Sequence, residues 1–303
     1  MRIGIGTSIV GQQIVGGGVQ YLDEVGGTPT AAYSVDKVVS TYTDAVVRVR
    51  RASDNEEADV AFDNDTITLD SAVDNFSTGS LSATLGEFVA NASYSDPDSL
   101  GSPDDAFVAT WYDQAGSNDA TQVTGNDQPK IVSSGALVTE NGRVAVSFDG
   151  NDFVRSASVS ISQPLTQIAV ATLGFGLAND NNDYRMTWNS VNAVALYKDD
   201  AGDPDTFNMF AGNVVSGIIA NEDQNLWFGV FSNVSSETHI NNSLAMDGTA
   251  GNNSMSDFII GSELNGVKGW NGTIQEIIIY NSDKSALRTA IEANINGRFN
   301  IYT

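Results

Sequence analysis

The residues best suited to chemistry crowd into TWYDQAGSNDATQ (110–122), where Trp111 and Tyr112 stand directly before Asp113 and Gln114, with Asn118 and Asp119 close behind. Such a set can hold a sugar: an aromatic ring covers its apolar face while carboxylates and amides take its hydroxyls. A carboxylate at the end of an apolar strand can equally accept hydrogen bonds from the amides of the following turn and fix a corner. The sequence leaves both readings open for Asp113, Gln114 and Asn118. Trp188 beside Asn189 and Trp270 beside Asn271 repeat the pairing of an aromatic with an amide. Trp188, Trp270 and Asn271 therefore join the candidate ligand-binding residues, against the alternative that each indole is simply buried in a core.

Catalysis is harder to place. Hydrolysis of a glycosidic bond needs two carboxyls flanking it, roughly 5 to 5.5 Å apart for retention, with one kept protonated by its surroundings. The chain has no E-x-D-x-E strand, and Glu263 and Glu276 each stand without a carboxylate two residues away. No catalytic residue is assigned, and Glu276 is expected to face solvent. His239 is the only histidine, and its neighbours alternate as a strand without metal-ligand spacing. A phosphate loop of the GxxxxGK(S/T) kind is absent, and the lack of cysteine removes disulfides and thiolate metal sites. Acidic runs at 96–105 (DPDSLGSPDD), 179–183 (NDNND) and 199–205 (DDAGDPD) offer the hard oxygens that calcium accepts, though none has EF-hand spacing. No metal residues and no cofactor are expected, with Ca2+ at a sheet edge the one ion left open.

Charge narrows the partners. Against 38 acidic residues stand 14 lysines and arginines, a formal charge of -24 that repels phosphates and anionic lipid, so neither nucleic acid nor a membrane is expected as partner. No window reaches the roughly 18 apolar residues of a bilayer span. The first apolar run is broken by Gly4, Gly6 and Gly11 and lacks a cleavage pattern, so no signal peptide is expected and synthesis is placed in the cytoplasm.

The elements that must position these residues are mostly strands. Short apolar segments recur between turns rich in Gly, Asn and Asp, as at 107–113, 144–150, 166–175, 193–198, 226–232, 257–262 and 273–280. Their spacing predicts an all-β, two-sheet antiparallel β-sandwich. Val35, Val38, Val39 and Tyr42 fall at helical spacing, which predicts one short helix over 33–42. A second helix is expected over 285–302, from Leu287, Ile291 and Ile295, with Gly297 as its stop. Residues 1–28 are Gly-rich and read as an attachment or oligomer-contact arm, and 29–303 as a single domain.

Three stretches carry a resemblance: 32–63 (AYSVDKVVSTYTDAVVRVRRASDNEEADVAFD), 111–132 (WYDQAGSNDATQVTGNDQPKIV) and 270–302 (WNGTIQEIIIYNSDKSALRTAIEANINGRFNIY). Together they resemble the concanavalin A-like, or laminin G-like, jelly-roll domains of bacteriophage virion proteins. The first two are also similar to the catalytic domain of the family 54 α-L-arabinofuranosidases, which is disulfide-braced, unlike this chain. The resemblance implies the jelly-roll fold. For function it leads to a non-enzymatic, surface-displayed virion protein, a head decoration, fibre or tail module. Residues 1–28 would dock it to other virion proteins, homo-oligomers are expected, and outer loops would touch host surface glycans. The alternatives are a glycoside hydrolase of arabinofuranosidase type and a free carbohydrate-binding module.

Overall fold

A computed structural model describes residues 21–78, 82–90, 103–156, 159–180, 182–189, 193–200, 204–263 and 267–303. Its spine is the isoleucine-rich strand Asn271–Tyr280, whose last seven residues are buried. On one side it pairs with Leu165–Leu173, Ala169 lying opposite Ile277; on the other it takes Ala31–Ser34 and then Val146–Asp149. Leu165–Leu173 is buried throughout and passes on to Gln224–Phe231, Ser236–Ile240 and Ser243–Gly248. Cover on both faces explains why that strand reads as a continuous apolar run rather than an alternation.

A second group centres on Val47–Arg51, held between Glu57–Val60 and Ala106–Trp111. Val47–Arg51 alternates buried and half-buried residues, as expected for one face on the core and one on water. Tyr184–Arg185, Ala195–Asp199, Thr206–Phe210 and Val214–Ile219 make a separate four-stranded antiparallel sheet. One apolar cluster runs through the molecule, with Trp111, Trp227 and Trp270 among its largest members. The all-β antiparallel sandwich expected from the sequence is the fold observed, with a helix at its C-terminal end.

The short helix expected over 33–42 is not formed. Ala31–Ser34 is a strand on the spine, and Val35, Val38 and Val39 are all buried, so their spacing reflects a packed loop and not one face of a helix. The Gln114 amide supplies the hydrogen bonds that a helix would have made internally: its Oε1 accepts from Val38 N (2.8 Å) and its Nε2 donates to Ser34 O and Asp36 O (3.1 and 2.9 Å). A helix does occur at Leu22–Gly26, within the stretch read as an arm; Leu22 is buried and donates its N–H to Val38 O (2.9 Å). The rest of that stretch, 1–20, lies outside the described residues, as does most of the 96–105 acidic run.

The C-terminal helix spans Arg288–Phe299 and runs through Gly297. Asn300 ends it instead, in the left-handed region (φ 52°, ψ 51°), donating its N–H to Asn296 O (2.7 Å). Ile291, Ile295 and Phe299 form its buried stripe. Glu276 departs from the solvent-facing position expected of it: it is fully buried on the spine, accepting from Arg298 of this helix (2.6 and 2.8 Å) and from Ser34 Oγ (2.8 Å). A buried carboxylate with that many donors pins helix to sheet.

Candidate functional site

Four chain segments meet at one end of the sandwich. Strand Val146–Asp149 runs out into Gly150, Asn151 and Asp152, and Gly150 (φ +98°) donates its N–H to Trp270 O (3.0 Å). Gly269 lies against Gly150 so closely that a Cβ on it would fall 2.2 Å from Gly150 O, so only glycine permits that backbone contact. Arg185 N donates to Lys268 O (2.8 Å), which brings 183–185 alongside 268–269. The hairpin pairing of Tyr184 with Lys198 and Arg185 with Tyr197 then carries Asp199 and Asp200 to Asp183. Between these segments opens a cleft of about 570 Å³, whose polar walls include Asp149, Asn151, Asp183, Asp200, Lys268 and Asn271.

The cleft's carboxyls are driven in opposite directions. Asp152, nearly buried beneath the turn, has its carboxyl pushed up to about 7, by burial first and by the adjacent charge of Asp149 second; its bond from Asp149 N (2.9 Å) pulls the other way. Near neutral pH it is therefore poised between its protonated and ionised forms, beside Asp149, its hydrogen-bonded neighbour on the cleft wall. For Asp183 burial also raises the carboxyl, but the ammonium of Lys268, the Asp200 amide (3.0 Å) and Arg185 (3.1 Å) outweigh it and hold it well below the usual carboxylate range. Arg185 is fixed in turn by Glu263 (3.0 Å) and by the face of Tyr197, 4.0 Å from its ring centroid.

The carboxylate oxygens of Asp183, Asp199 and Asp200 lie within 4.8 Å of one another, the one such acidic group among the described residues. Lys268 and Arg185 already bring positive charge to it. The described acids Asp180, Asp183 and Asp205 of these two runs thus gather around cations of the protein itself. Buried Lys198 bridges Asp180 (2.9 Å) and Asp205 (2.5 Å) at their centre, and Asp180 is held at about 2: burial, which raises it, is outweighed by bonds from Tyr184, Lys198 and Asn182.

Of the six residues singled out from the sequence, Asn271 alone lines this cleft. Trp270, next to it, points inward as a buried core residue with its indole N–H on Thr172 O (3.2 Å). Trp188 is half-buried and stacked on Phe210 (centroids 6.3 Å, planes 6° apart), with Arg185 5.2 Å from its ring centroid. Asp113 accepts from Ala32 N and Ala115 N (2.8 and 2.9 Å) with one oxygen, and from Asn118 N and Nδ2 (3.1 and 3.0 Å) with the other. Gln114 holds the 34–38 loop as described, and Asn118 also donates to Thr30 O (3.2 Å). These three build a corner. His239 sits on the strand Ser236–Ile240, its imidazole lowered by burial and then by Arg288. Asp149, Asp152 and Lys268 escaped the sequence reading, although FDGND (148–152), an apolar strand ending in an acidic turn, carried a signal of the same kind as VATWYD; Asp183 belongs to the acidic run 179–183 offered there for calcium.

No family model and no curated protein matches the sequence. Solved structures do match the fold. An arabinofuranosidase complexed with arabinofuranosyl-α-1,2-xylobiose superposes over 90% of the chain (TM-score 0.60, 16% identity). A Glu-to-Gln variant of a family 54 α-L-arabinofuranosidase soaked with 4-nitrophenyl α-L-arabinofuranoside does so at TM-score 0.61 and 15% identity, and the same kind of enzyme soaked with a cyclic sulfate inhibitor at 0.61 and 16%. The chain spans 64% of the length of each. At such identity the likeness is one of fold. It nonetheless corrects the expectation of a non-enzymatic virion protein: these three structures, which share the fold over 90% of the chain, are arabinofuranosidases, and they back the hydrolase alternative instead. The virion, decoration and tail-fibre assignments gain no support from these structures. Among the described residues no helix is long and apolar enough to cross a membrane.

Proposed function

We propose that the chain is a glycoside hydrolase that acts at this cleft on arabinofuranosyl groups carried by a xylan-type glycan. The observation that supports the reading most is the opposed shift of two carboxyls, Asp183 on the cleft wall held well below its ordinary range and Asp152, buried behind the wall residue Asp149 and hydrogen-bonded to it, pushed up to about 7. Two carboxyls set apart in this way are what acid-assisted cleavage of a glycosidic bond needs. The fold's likeness to arabinofuranosidases supports the choice of sugar.

In this mechanism the Asp149–Asp152 pair acts as one proton-holding unit. Asp149, on the cleft wall, passes the proton to the departing glycosidic oxygen, and Asp152 keeps the pair supplied. As the glycosidic bond breaks, Asp183 stays ionised and opposes the positive charge that develops at the anomeric carbon; a water then bonds to that carbon and returns a proton to the Asp149–Asp152 pair. Asn151 and Asn271 are placed on the wall to take sugar hydroxyls. One observation favours a second reading, a carbohydrate-binding module without turnover: both oxygens of Asp183 are already engaged, by Lys268, Arg185 and the Asp200 amide.

The test is release of nitrophenol from 4-nitrophenyl α-L-arabinofuranoside by the wild type, Asp152→Asn and Asp183→Asn proteins. Turnover by wild type that both substitutions abolish supports the hydrolase. Binding of L-arabinose or an arabinosylated xylo-oligosaccharide without turnover selects the module. Neither binding nor turnover refutes both.

A further inference from the structure

At the end of Leu165–Leu173 the chain turns through Gly174, Phe175 and Gly176, and the Phe175 ring is 97% exposed. Among the described large apolar residues only Val123, at 94%, approaches it. A single exposed apolar side chain is ordinary on a surface. This one differs in how its backbone is held. Gly174 N donates to Asn271 O (2.8 Å), Leu177 N closes the turn onto Gly174 O (3.2 Å), and Glu222 Oε1 accepts from Gly176 N and Ala178 N (2.7 and 3.3 Å). Gly176 takes φ +81°, open to glycine at no steric cost. A Cβ on Gly174 would meet Asn271 O at 3.1 Å, so the turn lies flush on the strand start that lines the cleft.

The turn that carries this bare aromatic ring is thus hydrogen-bonded, one residue away at Gly174, to the backbone of Asn271, a residue of the cleft wall. The neighbouring amides and carboxylates suit hydroxyl-rich ligands, and an aromatic face suits the C–H face of a sugar ring. We infer that Phe175 is a stacking platform for a sugar unit lying beyond the cleft, so that the ligand is a glycan of two or more units whose main chain crosses the rim. This rests on the sugar-directed reading of the cleft given above and adds to it a recognition site for the part of the ligand that is not cleaved.

The test compares wild type, Phe175→Ala and Phe175→Trp by calorimetric titration with two probes, L-arabinose and an arabinosylated xylo-oligosaccharide. The inference expects Phe175→Ala to weaken the oligosaccharide about tenfold, equivalent to ~1.4 kcal/mol, and to leave L-arabinose unchanged. Phe175→Trp should restore the affinity and report the sugar by a change in indole fluorescence. Thermal unfolding of Phe175→Ala should match wild type, since the ring packs on nothing. Equal affinity of Phe175→Ala and wild type for the oligosaccharide, or equal weakening of both probes, would overturn the inference while leaving the hydrolase reading intact. If wild type binds neither probe the inference falls, and nitrophenol release by the same preparation decides separately whether the hydrolase reading survives.

Discussion

The corner around Asp113 and the cleft around Asp183 are made from the same kinds of residue, and they do different work. At the corner each oxygen of Asp113 accepts from amides: Ala32 and Ala115 on one side, Asn118 on the other. Its capacity is filled by the chain that folds around it, so its charge stabilises a turn. At the cleft the acidic groups arrive from three separate segments and face an open space. There Asp152 is poised between its protonated and ionised forms while Asp183 is held ionised by Lys268. The composition of a polar cluster says little about its role. What separates a joint from a site is whether its acceptors are met by backbone amides or by titratable neighbours.

The largest effect that tests this contrast is at the corner. Asp113→Ala leaves three backbone amides and the Asn118 side chain without their acceptor in a buried setting. It should lower stability by ~3–5 kcal/mol, read as a shift of the urea midpoint at unchanged slope. Sugar binding measured well below the new midpoint should be preserved; its loss with intact stability would make Asp113 a ligand residue after all. Next comes Asp152→Asn, which keeps an acceptor for Asp149 N but cannot give up a proton. Turnover should fall about 100- to 1000-fold, ~3–4 kcal/mol in the barrier, with oligosaccharide affinity held within a factor of two to three.

That the fold could be read and the cleft could not has a physical cause. Strands such as Leu165–Leu173 and Gln224–Phe231 announce themselves through local apolar runs, and the C-terminal helix through Ile291 and Ile295. The same local rule misled at Val35, Val38 and Val39, where burial on all sides mimicked helical spacing. It missed Val214–Ile219, a strand at the edge of its sheet whose residues are largely exposed. The cleft depends on register between distant segments: Arg185 beside Lys268, Gly150 against Gly269, Tyr184 opposite Lys198. In the sequence these are polar turns like any other. Asn271 was noticed because a tryptophan precedes it, yet that indole faces the core and the exposed ring near Asn271 belongs to Phe175, a hundred residues earlier in the chain.

A third prediction concerns pH. The folded value of Asp152, about 7, stands above the ~3.9 of an unfolded aspartate. The native state therefore binds this proton more tightly than the unfolded chain. Its contribution to stability is complete below pH ~4 and is lost as pH rises through about 7. Asp152→Asn removes the titration, so relative to wild type it should gain ~1–3 kcal/mol between pH 4 and pH 8, measured by urea unfolding at both. A difference independent of pH would mean that Asp152 is ionised in the folded protein, and the cleft would then resemble the corner.

The smallest effect separates the two regions most finely. Lys268 is 44% exposed and makes the foremost of the bonds that lower Asp183, with the Asp200 amide and Arg185 behind it. Lys268→Met removes that charge while keeping the stem's length. The Asp183 titration, followed by carboxyl carbon NMR, should move upward, and only slightly because solvent screens an exposed lysine; the acid limb of any hydrolytic pH profile should move with it. The sign follows from the loss of a cation: with less positive charge nearby, the carboxylate is protonated at higher pH. If Asp183 stays fixed, its ionised state is set by the Asp200 amide, the Asp199 side chain and Arg185, and the exposed lysine is left free to meet the ligand.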